Sequence, residues 1–161
     1  GYSGSGRSVY KKNTNKNLHE SLSAYGVGFH KHNSEIEQEM KNFIKGEFKV
    51  IFTPHLTPMF RGILSTIYVD LKKNVNHNKI ITLLKKFYKN KNFIKVMKKN
   101  HLLSTNDVIN TNNCHISVCK TKYKNKLIIL SVIDNLIKGG SGQAIQNMNQ
   151  KFKFKETEGL L

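Results

Sequence analysis

The sequence predicts an α+β domain whose mixed, largely antiparallel sheet is covered by helices on one face. Three observations lead there. Leu127 to Ile133 is an apolar run broken only by Ser131, the pattern of a strand in the middle of a sheet. Asn78 to Lys89 carries Ile80, Ile81, Leu84, Phe87 and Tyr88 at helical spacing. And 161 residues suffice for one domain with a real core but not for two ordinary ones.

The elements follow in order. The opening seventeen residues, rich in Gly, Ser, Lys and Asn without hydrophobic period, read as a loop, and Tyr25 to His32 as a short strand. Ser34 is an N-cap candidate, followed by Glu35, Glu37 and Glu39 where the helix dipole favours acids, with Ile36, Met40, Phe43 and Ile44 forming one apolar face. Phe48 to Leu56 is a strand ended by Pro54 and Pro58, and Gly62 to Leu71 a second, rich in β-branched residues. Phe93 to Met97 and His115 to Thr121 are further strands. Gly142 to Phe152 is a closing helix with Ala144, Ile145 and Met148 inward.

Composition narrows the function classes. The net charge of +17 invites a polyanion partner, but 25 of the 27 basic residues are lysine and 19 asparagines accompany them. Readers of nucleic acid lean on arginine for bidentate contacts, and here only Arg7 and Arg61 occur. The lysine and asparagine excess reads as drift in an AT-rich genome, so no nucleic-acid partner is expected. A basic nucleic-acid-binding protein stays as the rival reading from another class. Cys114 and Cys119, five apart, fall on opposite faces of a strand, which suits neither a local disulfide nor a zinc knuckle. No apolar run approaches the ~18 residues of a membrane span, and GYSGSGR lacks a signal-peptide core. A cytoplasmic protein with reduced thiols, away from membranes, is expected.

Four segments can carry chemistry. In FHKHNSEIEQ, His30 and His32 lie two apart, so an extended chain would place both imidazoles on one face, with Glu35 near enough to orient one for proton transfer. The alternative is two surface histidines; as a metal site the pair lacks further ligands, and no metal is expected. In FTPHLTPMFRGILSTIY, two prolines force a rigid, extended path toward Arg61. That guanidinium either meets a carboxylate or phosphate or sits in a structural ion pair. Ser3, Gly4, Ser5 and Gly6 in GYSGSGR are small enough for a cofactor to approach, with amides that could form an anion nest, beside Arg7. KGGSGQAIQNMN, Lys138 to Asn149, is a glycine turn between strand and helix, where a backbone can meet a cofactor.

Together these segments resemble the carboxyl-terminal part of N-acetyl-gamma-glutamyl-phosphate reductases. FHKHNSEIEQ resembles that family's HRHxPEIxQ, FTPHLTPMFRGILSTIY its FTPxLxPMxRGILxTxY, GYSGSGR its GxSGAGR, and KGGSGQAIQNMN its KGAxGQAxQNxN. The resemblance implies a glyceraldehyde-3-phosphate-dehydrogenase-like carboxyl-terminal domain. Residues 1–136 would form a catalytic and oligomerisation domain, and 137–161 a closing glycine turn and helix that pack on a dinucleotide-binding domain.

The activity implied is NADPH-dependent reduction of N-acetyl-glutamyl 5-phosphate to its semialdehyde, in arginine biosynthesis. The roles implied are His30, or His32, with Glu35 in proton transfer; Arg7 and Arg61 for substrate; and Ser3, Gly4, Ser5, Gly6, Gly139, Gly142, Gln143 and Asn147 beside NADP. The family's nucleophilic cysteine, in a GCYPT-like segment, and its dinucleotide fingerprint are absent. The chain alone is therefore expected to be inactive, its partners being the missing amino-terminal half, further copies in a homodimer or homotetramer, and the acyl-phosphate. An aspartate-semialdehyde dehydrogenase-like domain is the enzyme alternative.

Overall fold

A computed structural model of the chain describes residues 1–6 and 20–160. It divides into two compact units, Gly1–Met59 and Phe60–Leu161. Every buried apolar side chain among the described residues lies in the second, so the core expected over the whole length is confined there.

The first unit contains a 3-10 turn at Tyr2–Ser5, strands β1 (Ser23–Ala24) and β2 (His55–Leu56), which pair antiparallel, and helix α1 (Lys31–Lys41). The strand expected over Phe48 to Leu56 shrinks to His55–Leu56, and the one expected over Tyr25 to His32 is absent, replaced by a turn and the start of α1, each for a local reason. Gly26 and Gly28 take φ of 55° and 76°, turning the chain where Tyr25 to His32 was to be extended. Upstream of His55, the Val50 N–H donates to Glu37 Oε1 at 3.2 Å, so this segment is tied to a helix side chain instead of a strand.

Helix α1 also starts earlier than the acidic run suggests. His30, not Ser34, is its N-cap, with Nδ1 accepting the His32 N–H at 3.2 Å. The first turn then holds no acid, and Glu35 falls in the second. The helix ends at Lys41, leaving Phe43 and Ile44 of the expected apolar face exposed beyond it.

The second unit holds β3 (Ile63–Asp70), α2 (His77–Phe87), β4 (Ile94–Val96), β5 (Cys114–Lys120), β6 (Lys126–Ile133) and α3 (Gly142–Lys151). The sheet order is β3-β6-β5-β4. β6 runs antiparallel to both neighbours while β4 and β5 are parallel, so the sheet is mixed, and the apolar run Leu127 to Ile133 occupies its middle as expected. Leu103, Val108 and Val132 form the core cluster, joined by Met97 and Leu130. Helix α2, capped by Asn76 through Oδ1 accepting the Lys79 N–H, packs on β4 and β5. Cys114 and Cys119 sit five apart on β5, on opposite faces, and both are free thiols. Among the described residues no helix is long and apolar enough to cross a membrane.

Helix α3 reverses its expected orientation. Its buried residues are Gly142, Gln146 and Asn149, whereas Ala144, Ile145 and Met148, expected inward, are exposed, the last two by 36% and 45%. A set of buried amides behind the glycine turn explains the inversion.

Candidate active site

In the first unit, four rings gather at the start of α1. The His30 and His32 centroids lie 4.6 Å apart and edge-on, with Tyr25 5.3 Å from His30, and Phe52 5.5 Å and 6.2 Å from His30 and His32. The predicted pairing of the imidazoles is present, though a helix N-cap creates it and not an extended strand. Because His30 Nδ1 accepts a backbone N–H, the neutral ring carries its proton on Nε2 and is a donor there. Glu35 Oε2 stands 3.7 Å from His32 Nε2, too long for a hydrogen bond. Glu35 thus faces His32, and the ring of His30 is oriented by the backbone.

The opening turn differs from the nest expected of it. The Gly4 N–H donates to Gly1 O at 3.3 Å and the Gly6 N–H to Ser3 O, so these amides are spent inside the turn. Tyr2 N–H donates to Met59 O at 2.8 Å. Arg7 lies outside the described residues.

In the second unit, Arg61 has the ion pair weighed as its alternative role. Its Nη1 donates to Asp134 Oδ2 at 3.0 Å and to Asn110 Oδ1 at 3.1 Å. The Asp134 side chain is wholly buried, that of Arg61 28% exposed. Asp134 further accepts the N–H groups of Asn110 at 2.9 Å, Leu136 at 2.8 Å and Ile137 at 3.0 Å. Burial would raise its pKa, but the Asn110 and Leu136 N–H groups, the guanidinium and the Ile137 N–H outweigh that and hold the carboxyl below its ordinary value. The adjacent Asn135 accepts the Gly62 N–H through Oδ1 at 2.7 Å. Gly62 has φ 106°, and a Cβ there would stand 2.6 Å from that of Thr105, so glycine is required on both counts.

The glycine turn follows from these two residues. Ile137–Ser141 is a wide, π-type turn in which the Gly139 N–H donates to Asp134 O and the Ser141 N–H to Leu136 O, each at 2.9 Å. With these amides used internally the turn is not a phosphate cradle. It presents an exposed backbone at Gly139 and Gly140, where a Cβ on Gly140 would meet only Asn135 O at 3.5 Å. Gln143 Nε2 donates to Asn147 Oδ1 at 2.8 Å along α3.

Behind the turn lies the network that inverts α3. Lys138 points away from the exposed surface, donating to Gln146 Oε1 at 2.7 Å and standing 5.5 Å from the Phe93 ring centre. Burial lowers its pKa, opposed by Cys114 and Glu156. Asn112 Nδ2 donates to the same Gln146 oxygen at 2.8 Å, and Gln146 Nε2 donates to Glu156 Oε1 at 2.8 Å. Asn149 Nδ2 donates to the carbonyls of Glu156 and Glu158. Gly142 closes the arrangement, since a Cβ there would come 2.5 Å from Asn112 Oδ1 and 2.6 Å from Ile137 Cγ2. Of this group the sequence assigned a role only to Gly142, although Lys138, Gln146 and Asn149 also lie in the KGGSGQAIQNMN segment. Asn112 and Glu156 carry no local signal.

Comparison with known proteins identifies the family. Residues 1–135 match the family described as Semialdehyde dehydrogenase, dimerisation domain. The chain belongs to that family. Among its curated relatives is an N-acetyl-gamma-glutamyl-phosphate reductase of Thermoanaerobacter sp. (strain X514), 45% identical over 160 residues, covering 99% of this chain and 46% of the relative. The protein of that name from Vesicomyosocius okutanii is 48% identical over 99% of this chain and 46% of its own length. A probable chloroplastic one from Arabidopsis thaliana is 42% identical over all of this chain and 40% of its own. The chain thus spans about half the length of the curated relatives it matches. Among solved structures, aspartate semialdehyde dehydrogenase II from Vibrio cholerae superposes with a TM-score of 0.63 at 14% identity, covering 89% of this chain and 47% of that one. The family's dimerisation domain therefore has its expected α+β fold here.

Proposed function

We propose that the chain is the carboxyl-terminal part of a cytoplasmic enzyme that reduces N-acetyl-glutamyl 5-phosphate to N-acetyl-glutamate 5-semialdehyde with NADPH. The observation that carries this reading is identity of 42–48% to reductases of that name along essentially the whole chain. The likeness to aspartate semialdehyde dehydrogenase, at 14% identity, speaks for fold alone and gives that substrate no preference.

The chemistry divides among the residues as follows. His30, with its proton on Nε2, donates to the substrate oxygen as the carbonyl is reduced, and His32 beside Glu35 is the second imidazole of the pair. The Arg61 edge not engaged by Asp134 binds a substrate oxyanion, and Arg7 is a second candidate substrate-binding residue. Gly139, Gln143 and Asn147 form one wall for the nicotinamide, with Gly142, expected in that wall but buried against Asn112 and Ile137, holding the turn from behind, while Ser3, Gly4, Ser5 and Gly6 border the cofactor as small residues. NADPH supplies the hydride. The dinucleotide fold and the nucleophilic cysteine come from an amino-terminal half, against which residues 137–161 pack. The family's description as a dimerisation domain supports a homodimer or homotetramer.

Joining this chain to the amino-terminal half of a full-length relative and following NADPH oxidation with the acyl-phosphate tests the reading. Turnover is expected, and His30→Asn should lower kcat by about 100-fold or more, the usual scale for a proton-transfer group. Unchanged turnover in both His30→Asn and His32→Asn would remove the assignment. An assembled, folded enzyme that leaves NADPH untouched would remove the function.

A further inference from the structure

Resting on that reading, we infer that Asp134 is a positioning residue that holds the substrate-binding guanidinium and the cofactor-facing glycine turn as one unit. Its two oxygens divide their work between parts of the chain remote in sequence. Oδ2 accepts from Arg61 Nη1 and the Asn110 N–H, on the side where β3 begins. Oδ1 accepts from the Leu136 and Ile137 N–H groups, which open the glycine turn. Register brings these sides together: Ile63, two residues after Arg61, pairs with Ile133, immediately before Asp134.

Two ties reinforce the junction. Gly62 N–H donates to Asn135 Oδ1, and Gly139 N–H to the Asp134 carbonyl. A structural ion pair would need only the guanidinium. Here the same buried carboxylate also receives two donors from the turn, so moving one side disturbs the acceptor of the other.

The carboxylate is required because all four groups facing it are donors, and an ionised carboxyl is acceptor only at both oxygens. A carboxamide of equal size offers one acceptor and one NH2, which would confront either the Arg61 side or the turn with a donor. In the wholly buried site no water can substitute, so one side must let go.

The test uses the full-length enzyme, in which Asp134→Asn and Arg61→Met are compared with wild type. Both should raise KM for NADPH as well as for the acyl-phosphate, by about 10- to 100-fold given the cost of misplacing a bound group by an ångström. The double variant should be no worse than Asp134→Asn alone. The decisive readout is NADPH affinity in Arg61→Met, a residue given no cofactor contact, which an isolated ion pair would leave unmoved. The inference fails if Arg61→Met changes only the acyl-phosphate KM, or if folded Asp134→Asn keeps both KM values and merely unfolds at lower denaturant. Should Asp134→Asn not fold, the Arg61→Met arm decides alone. If the wild-type enzyme proves inactive on the acyl-phosphate, the functional reading falls by itself. Amide exchange in Arg61→Met then judges the coupling, expected to quicken at Leu136 and Ile137 and refuting it if unchanged.

Discussion

Helix α2, packed on β4 and β5, half-buries Ile80, Ile81, Leu84 and Tyr88. Helix α3, one residue shorter by its bounds, instead buries Gly142, Gln146 and Asn149 and leaves Ile145 and Met148 in solvent. The first obeys the hydrophobic period except at Phe87, expected on that face but exposed at the helix end. The second is oriented by hydrogen bonds to Asn112, Lys138 and the Glu156 region, none of which lies within the helix. Buried amides whose donors and acceptors are paired, Asn112 Oδ1 excepted, can outweigh an apolar face, because an unpaired amide in the interior costs more than an exposed isoleucine or methionine.

The largest break in this contrast should come from Gln146→Leu. It adds apolar surface on the buried side of α3 yet strips Lys138 and Asn112 of an acceptor and Glu156 of a donor. A loss of about 3 kcal/mol is expected in urea unfolding, from groups worth roughly 1–3 kcal/mol each when left unsatisfied. A stabilised variant would mean that apolar burial, not the network, orients the helix. Gly142→Ala should cost about 1–3 kcal/mol by overpacking against Asn112 and Ile137. Calorimetry showing an unchanged Tm would refute that tight approach. In α2, Leu84→Ala should cost about 1–2 kcal/mol, below the range for a fully buried leucine because the side chain is only half-covered. A loss as large as that of Gln146→Leu would erase the distinction between the helices.

Acid separates the two helices as well. Glu156 has its pKa lowered, since bonds from Asn92, Gln146 and Gln150 and the nearby Lys91 outweigh the effect of its burial. A carboxyl with a depressed folded pKa contributes stability above its unfolded pKa, roughly 4.3 for Glu, and that contribution is lost as pH falls through the folded value. The wild-type urea midpoint should therefore fall on acidification below about pH 4, and Glu156→Gln should flatten that limb. Equal slopes in the two proteins would show that the network carries no linked proton. The smallest effect should come from Ile145→Ser with Met148→Ser, under about 0.5 kcal/mol in the chain alone as for exposed positions generally. If this face packs on the amino-terminal half, the same pair should weaken assembly in a titration of the two halves, and unaltered affinity would leave the exposed apolar face unexplained by that contact.

Much of the second unit was legible because its signals are local. β-Branched and apolar runs mark β3, β5 and β6, and a 3.6-residue period with an Asn cap marks α2. In the first unit local signals misled. Ser34 and the glutamates suggest a helix start that His30 pre-empts through its ring nitrogen, and Gly26 and Gly28 turn what reads as a strand. The candidate site divides in the same way. Its glycine turn and histidine pair stand out as contiguous motifs, but the residues that orient them do not. Asp134 reaches 73 positions back to Arg61, and Gln146 reaches 34 back to Asn112.

The sequence by itself determined the α+β class, the central place of β6, the helical period of α2 and the family motifs, because each depends on neighbours within a few residues. Only the tertiary structure decided that Arg61 is bound by a buried carboxylate, that the amides of the glycine turn point inward, and that α3 buries its polar side. Those outcomes depend on which donors and acceptors meet once distant segments pack. A buried polar network is stable only where most of its partners arrive, a condition that no local pattern in the chain encodes.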